Sequence, residues 1–368
     1  MFTSAKGKVV QVLSTTPEFQ ELFVEISGQS QLEKAYNYPE LYREVSIGDT
    51  VWLNTNAVKL GLGTGGRHFV VPESQDHQPD KIIGHIMKLR YTPWQFPVLA
   101  AEEETSPYHL QLRDCTSLKN TPIVAAPLHS MLPGIILGFR HAIGFNPTIA
   151  YVMTDGAALP IALSNLVREL KSKHLLQATV TAGHAFGGDC EAVSIPSALA
   201  IATEIIQADL VVCGLGPGIV GTGTALGFSG IEQSWILDLT ARLGGIPIAV
   251  PRISTADPRE RHYGLSHHST TILDLTNQPA MVGVSSRMPE NLLNIILEKS
   301  QAKQLLLRHH WYQLTDPTAL DLFAQENIRV KSMGRGVAED PWFFQSSVTA
   351  GVLAAKAKLG QLASLTKL

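Results

Sequence analysis

A glycine-rich segment directly follows an apolar, strand-length run at residues 210–213. Glycines let backbone N–H groups approach a phosphate closely, and a helix that begins after such a loop adds a favourable dipole. The glycines concerned are Gly214, Gly216, Gly218, Gly221 and Gly223. Their spacing predicts a loop that binds an anion, with a loop that only turns sharply and packs closely as the structural alternative.

Three of these glycines also match the dinucleotide fingerprint G-x-G-x-x-G, from position 216 to position 221. A nicotinamide site expects an acidic residue about 20 residues further on, at the end of the next strand. Arg252 follows that strand instead, and Asp238 falls inside a predicted helix. Because an arginine there suits a 2′-phosphate, an NADP-dependent oxidoreductase is kept as an alternative function.

A second cluster, from His184 to Glu191, combines histidine with acidic side chains. Imidazole titrates near neutrality and suits proton transfer, so His184 and Asp189 are candidate catalytic residues. The same residue types bind divalent metals, which leaves a metal cofactor open, although no HExxH or HxD spacing is present. In the structural alternative, Asp189 caps a helix that starts near Ala192.

Asp155 and His129 each follow another apolar run, and both are added to the catalytic candidates. Asp155 lies in the sequence Thr-Asp-Gly, ahead of a helix that we expect Pro160 to open. Both positions suit a ligand-binding side chain, and both are equally typical of turns and helix caps.

The segment 252–268 is charged and poor in apolar residues. It contains three arginines and three histidines, of which Arg252, His267 and His268 are candidate ligand-binding residues, and we expect Arg335 to complete the anion site. Such a segment predicts a lid that clamps a phosphate or a carboxylate, with a solvated surface loop as the alternative.

These side chains need a scaffold, and the sequence from residue 121 onward indicates one. Apolar, strand-length runs recur there, separated mostly by amphipathic, helix-length stretches. The runs are residues 122–126, 150–153, 178–180, 210–213, 246–250, 281–284, 305–307 and 328–330. We predict an α/β fold: a Rossmann-like, doubly wound, mostly parallel sheet in three αβα layers, with a (β/α)8 barrel as the alternative. Ligands bind beyond the carboxyl ends of such strands, where the candidate residues fall.

The first 75 residues follow a different pattern of short alternating segments broken by turn residues. This pattern predicts a small β-rich, barrel-like domain of the SH3 or OB type over residues 1–75. Residues 76–120 are predicted to form a connector with one strand, and residues 121–368 the α/β domain. The glycine run at 61–66 lacks the Lys-Ser/Thr ending of a phosphate loop and is predicted to connect strands.

Composition narrows the class of protein. Charged residues make up only 17% and apolar residues 45%, which excludes a disordered chain and indicates a homo-oligomer, expected to be a dimer. The three cysteines are odd in number and widely spaced, so neither a disulfide framework nor a zinc ribbon is predicted. Without a leader-like start or a membrane-length apolar run, the expectation is a cytoplasmic protein with no membrane partner.

The order of several motifs resembles a bacterial family catalogued as domain of unknown function 3866. The matching pieces are Gly48-Asp49-Thr50-Val51, the segment HIMKLRYTP from His85, Thr154-Asp155-Gly156-Ala157, the segment GHAFGGD from Gly183, and Gly214-Leu215-Gly216-Pro217-Gly218. The resemblance spans nearly the whole chain and implies no activity, because the family has no assigned function. The functional hypotheses therefore depend on the residues alone.

Two main hypotheses follow from these residues. The first is an enzyme, a hydrolase or a transferase, that acts on a small anionic metabolite of phosphorylated or nucleotide-like chemistry. The second is a protein that binds such a metabolite without transforming it, as a sensor or a subunit of a complex. Clustered histidine and aspartate favour the enzyme, since a sensor needs anion donors but no acid–base groups.

We predict that the chain does not bind nucleic acid through its N-terminal β-rich segment. Residues 1–75 carry six Lys and Arg against eight Asp and Glu, so their field repels a phosphate backbone. Retention on immobilised DNA or RNA across a salt gradient tests this. We expect no salt-sensitive retention, and strong retention would contradict the prediction.

Overall fold

The computed structural model describes residues 4–26, 31–55, 58, 66–71, 84–89 and 96–368. The chain divides into two compact units, residues 1–98 and 99–368, which are described separately. Most of the glycine run at 61–66 lies outside the described residues. No helix in the described ranges combines the length and apolar character needed to cross a membrane.

The first unit contains a closed barrel of five strands in the order β1-β2-β3-β5-β4. Its strands are β1 Ser4–Thr16, β2 Phe19–Ile26, β3 Leu32–Asn37, β4 Thr50–Asn54 and β5 Arg67–Val71. Alternate apolar residues of β2, among them Leu22 and Val24, are fully buried in the barrel core. A separate hairpin pairs β6 Ile86–Lys88 with β7 Phe96–Val98. The small β-rich, barrel-like part predicted from alternation is confirmed.

The second unit is built on a nine-stranded sheet in the order β11-β10-β9-β12-β8-β13-β16-β17-β18. Its strands are β8 Pro122–Ala126, β9 Ile149–Thr154, β10 Ala178–Ala182, β11 Cys190–Ala192, β12 Leu210–Leu215, β13 Ile246–Ala249, β16 Met281–Ser285, β17 His310–Leu314 and β18 Thr366–Lys367. All neighbouring strands are parallel except the last pair. The short strands β14 Ile253–Ser254 and β15 Gly264–Leu265 pair separately.

This topology confirms an α/β fold with a large, mostly parallel sheet. The sheet is open, with β11 and β18 at its edges, so the (β/α)8 barrel alternative is wrong. Its order also differs from the 3-2-1-4-5-6 order of the dinucleotide-binding fold, because β12 lies between β9 and β8.

Helices cover both faces of the sheet. The helices are α1 His109–Leu112, α2 Leu132–Ile143, α3 Asn165–Ser172, α4 Ile195–Ala200, α5 Gln233–Arg242, α6 His267–Leu275, α7 Glu290–Gln301, α8 Leu305–Arg308, α9 Ala319–Gln325 and α10 Pro341–Lys358. Val124 of β8 packs into one hydrophobic core with α2, α3, α9 and α10. Its neighbour Ile123 packs into a second core with α4, α5, α6 and α7. Since successive strand residues point to opposite faces, the strands are buried on both sides and cannot alternate with polar residues.

Two predicted strands are wrong. Residues 305–307 form part of α8, and residues 328–330 form no strand. A short apolar run does not distinguish a strand from a turn of helix, and Leu307 is in fact 87% exposed. The strand of that region is β17, which buries Trp311, and the edge strand β11 also escaped prediction because it is only three residues long.

Helices α2 and α10 pack unusually closely because glycines face the partner backbone. A Cβ built on Gly138 of α2 would lie 2.1 Å from the carbonyl oxygen of Val348, and one on Gly351 of α10 would lie 2.1 Å from that of Ile135. Both substitutions would therefore force the two helices apart. The contact holds α2, which follows β8, against α10, which itself packs on β8 and β16.

Gly138→Ala is predicted to destabilise the protein by about 1–3 kcal/mol, the usual cost of overpacking a core. In an unconstrained helix the same change gains about 1 kcal/mol, so the sign itself is diagnostic. Urea unfolding measures the difference. Gly336→Ala is the control, because a Cβ there meets no atom closer than 3.5 Å. Equal stability of the two variants would contradict the account.

Candidate functional site

The carboxyl ends of β8 and β12 form a switch point of the sheet, the position where its topology predicts a ligand crevice. These strands are neighbours, but β8 continues into α2 on one face and β12 continues towards α5 on the other. Loops that leave neighbouring strands in opposite directions create the usual ligand crevice of an open α/β sheet. The glycine loop, His129 and Asp155 all follow strands that end here.

The half-buried side chain of His129 belongs to a hydrogen-bond network that joins three strand ends. Its Nδ1 lies 3.1 Å from the Tyr151 hydroxyl, which donates to the carbonyl oxygen of Leu215 at 2.8 Å. Its Nε2 lies 2.7 Å from Oγ of Ser164, the residue that caps α3. Burial lowers the pKa of His129 to about 4, so the ring is neutral, and both of its nitrogens are occupied. The structure therefore gives His129 a positioning role at the ends of β8, β9 and β12.

Asp155 and His184 are brought together by the backbone. The amide of His184 donates to Asp155 Oδ2 at 2.9 Å. Gly183 between β10 and His184 has a φ of +63°, and a Cβ there would lie 2.3 Å from the same carboxylate oxygen. Only glycine fits this turn, which brings the backbone of His184 beside the Asp155 carboxylate. Its buried Nδ1 has no hydrogen-bond partner in the described part of the chain.

Glu232 is a buried carboxylic acid beside Asp155 that the sequence analysis did not single out. It is 8% exposed and accepts a hydrogen bond from Thr154 Oγ1 at 2.5 Å. Burial, with a smaller contribution from the charge of Asp155, raises the pKa of Glu232 to about 7. Such a group exchanges a proton near neutrality. Its only signal in the sequence was its place between the glycine loop and the next helix.

Asp189 lies away from this group. Its carboxylate accepts from the amide and hydroxyl of Thr179, both at 2.8 Å, and pairs with Lys171 Nζ at 2.5 Å. Thr179 lies near the amino end of β10, roughly 13 Å along the strand from the turn that carries His184. The expected helix cap is also wrong, since α4 begins at Ile195 with Ser194 as its cap. Strand β11 lies between Asp189 and α4 in the chain. The hydrogen bonds of Asp189 to Thr179 attach the start of β11 to β10.

The glycine loop runs across the crevice from the β9 side to the charged segment. A Cβ on Gly216 would lie 2.8 Å from the carbonyl oxygen of Ala158, in the loop after β9. At the far end, a Cβ on Gly221 would lie 3.4 Å from Cε1 of His268, and one on Gly223 would lie 3.8 Å from the guanidinium of Arg261. The next regular α-helix, α5, starts only at Gln233, so no helix begins at the third glycine of the fingerprint.

Arg252, Arg259 and Arg335 form an arginine cluster around the buried carboxylate of Asp257. Arg252 and Arg259 each donate to Asp257 Oδ2 at 2.8 Å, and Arg335 Nη2 lies 3.5 Å from it. Hydrogen bonding from Arg259 and the nearby positive charges hold the pKa of Asp257 far below its usual range. Arg335 also bonds Asp340 at 3.2 Å. Arg252 is only 3% exposed, and its buried Nε has no partner within the described ranges.

Beside this cluster, His262, His267 and His268 form a histidine triad. One ring nitrogen from each lies within 4.8 Å of the other two, and the His267 and His268 ring centroids are 4.3 Å apart. Burial and then the neighbouring cations lower the pKa of His262 to about 3, and burial, His267 and the arginines do the same for His268. The triad is therefore neutral at pH 7. Ser266 caps α6 and fixes the last two histidines at its first turn.

The candidate residues thus form two groups rather than one. Asp155 follows β9 and Arg252 follows β13, with β12 and β8 between them, so the strand ends are about 14 Å apart. The glycine loop extends from Ala158, three residues after Asp155, to His268 and Arg261. Arg335, His267 and His268 join Arg252, whereas His184 lies with Asp155 and Glu232.

Comparison with known proteins places this architecture in a family. Residues 34–351 match the family described as Protein of unknown function (DUF3866), and the chain belongs to that family. A search of the curated proteins found no match. The resemblance drawn from the sequence motifs is confirmed, and it assigns no activity to any residue of the site.

The raised pKa of Glu232 predicts a pH-dependent loss of stability. The folded state holds the proton more tightly than the unfolded chain, whose pKa is near 4.5, so stability falls as the pH rises from 4.5 through 7. Glu232→Gln removes this penalty and keeps an acceptor for Thr154. The variant is expected to exceed the wild type by about 1–3 kcal/mol at pH 8 and by much less at pH 5.

Urea unfolding at both pH values measures that difference. Glu298→Gln, on the exposed side of α7, is the control and should show none. A Glu232→Gln variant that is less stable than the wild type at pH 8 would contradict the account.

Proposed function

We propose that this member of the DUF3866 family is an enzyme that acts on a small anionic metabolite of phosphorylated or nucleotide-like chemistry. The anion binds where the arginine cluster, Arg261 and the histidine triad meet the glycine loop. The observation that carries this proposal is Arg252, a buried guanidinium whose Nε has no partner in the described part of the chain. A buried charged donor without an acceptor is costly unless a ligand completes it.

The charge of the region supports an anionic ligand. Arg252, Arg259 and Arg335 share the two carboxylates of Asp257 and Asp340, which leaves one uncompensated positive charge. Arg261 is exposed and adds a second cation next to the glycine loop. A planar guanidinium binds phosphate or carboxylate oxygens in bidentate geometry, which suits both candidate ligand classes.

The second group of residues supports turnover rather than binding alone. Glu232 changes protonation near neutrality, and the His184 ring has a buried nitrogen without a partner in the described ranges. Both lie across the glycine loop from the arginines, so a ligand that spans about 14 Å would reach them. This length suits a nucleotide-like molecule, and acid–base groups beside a phosphate suit a hydrolase or a transferase.

A binding protein without catalysis is the second candidate, and one observation favours it. His129, Asp155 and Asp189 all make hydrogen bonds that hold strand ends or turns. Three of the four acid–base candidates predicted from the sequence therefore have a structural role in the fold. Turnover of a bound ligand distinguishes the enzyme from the sensor, since both bind the anion.

Isothermal titration with pyrophosphate and with ADP tests the anion site. Arg261→Ala is expected to weaken binding about 10-fold or more, because a hydrogen bond to a charged group contributes about 1.5–3 kcal/mol. Arg261 is exposed, so its removal leaves the fold intact.

Arg113→Ala is the matched control, since its side chain is 60% exposed and pairs only with its neighbour Asp114 among the described residues. We expect it to bind like the wild type. If neither anion binds at millimolar concentration, or if Arg261→Ala binds as well as the control, the proposed site is wrong.

A further inference from the structure

We propose that His262, His267 and His268 form a binding site for one divalent transition metal ion of the zinc class. The inference deepens the proposed function, because the metal would lie where the anion binds. Three imidazoles with an open fourth position are a common ligand set of catalytic zinc. No other group of three histidine, cysteine or acidic residues with this geometry occurs in the described ranges.

The spacing of the triad fits a metal after a small contraction. Ligands about 2.05 Å from a tetrahedral ion lie about 3.3 Å from one another. The three nitrogens lie within 4.8 Å of one another, so each moves by at most about 0.9 Å to reach a common ion. Side-chain rotation at the first turn of α6 supplies such a movement without any change in the strands.

Hydrogen bonds orient the rings as they do around known metal sites. His262 Nδ1 lies 2.7 Å from Ser266 Oγ, which also accepts a hydrogen bond from the amide of His268. In the tautomer in which Nδ1 donates to this hydroxyl, Nε2 of His262 is left to bind the ion. His267 Nε2 is buried and has no partner in the described part of the chain. The His268 ring stacks on Phe228 with centroids 3.9 Å apart and planes at 4°. Outer contacts that fix ring orientation are a regular part of metal sites.

The surrounding charge determines what completes the coordination. The cations that face the triad are Arg252, Arg259, Arg261 and Lys299, and the carboxylate that faces it is Asp257. With four positive charges and one negative charge around the triad, electrostatic repulsion disfavours the binding of a divalent ion on its own. An anionic fourth ligand removes that repulsion, so the metal and a phosphate oxygen are expected to bind together. The ion would then polarise the phosphoryl group that the arginines hold.

A titration of the untagged, EDTA-treated protein with Co²⁺ and Zn²⁺, with and without pyrophosphate, tests the site. One ion per chain is expected, and bound Co²⁺ should show the visible absorption of a four- or five-coordinate site. Pyrophosphate should tighten metal binding. His267→Gln and His268→Gln should each weaken it more than about 100-fold, since even outer contacts are worth about 10- to 100-fold.

His141→Gln is the matched control, because His141 is an exposed histidine on α2. Ser266→Ala is expected to weaken metal binding about 10- to 100-fold, because Ser266 orients the His262 ring. If this variant binds metal as tightly as the wild type does, Ser266 has no positioning role. Melting temperatures of the metal-free variants show whether each one is folded.

The outcomes separate this inference from the proposed function. If the metal-free protein binds pyrophosphate through Arg261 but no metal binds at the triad, the histidines only donate N–H groups to the anion, and the metal site is overturned. If the metal binds and His267→Gln abolishes it, but no anion binds, the metal site stands and the proposed function fails. Metal binding that His267→Gln and His268→Gln retain as fully as the control His141→Gln would place the ion elsewhere and contradict the inference.

Discussion

The buried carboxylate of Asp257 is the interaction on which the candidate site depends. Two arginines of the same segment, Arg252 and Arg259, and the distant Arg335 surround one aspartate that is 4% exposed. Without it their mutual repulsion would drive them into solvent, because like charges in a poorly solvated site repel strongly. Asp257 and Asp340 together cannot neutralise three guanidinium groups, so the fold gathers positive charge beyond the end of β13 and leaves one charge uncompensated. Under the proposed function, this imbalance is what attracts the anion.

The sheet explains why the charge gathers there. Parallel strands bring all their carboxyl ends to one edge, and the switch in direction between β8 and β12 opens that edge. The glycine loop bridges the crevice because it can approach Ala158 at one end and His268 at the other without a side chain in the way. The arginine cluster, the histidine triad and Glu232 thus surround one loop although they follow different strands.

Much of this architecture could be predicted from the sequence. Apolar runs that do not alternate indicated a buried parallel sheet, and alternation indicated the barrel. The strand order could not be predicted, because the position of β12 between β9 and β8 depends on long-range packing. For the same reason, the sequence wrongly suggested that Asp189 and His184 lie together, because they are only five residues apart in the chain. In the fold they lie near opposite ends of β10. The importance of Glu232 depends on burial, which no local pattern contains.

The most direct test of the account is a crystal structure of the protein grown with tungstate, a phosphate mimic whose anomalous scattering locates the bound anion. The account predicts one strong anomalous peak within hydrogen-bond distance of Arg252 Nε and the Arg261 guanidinium, in contact with the glycine loop. A peak beside Asp155 and Glu232 instead, or a fully ordered site with no anion while tungstate binds elsewhere, would contradict it.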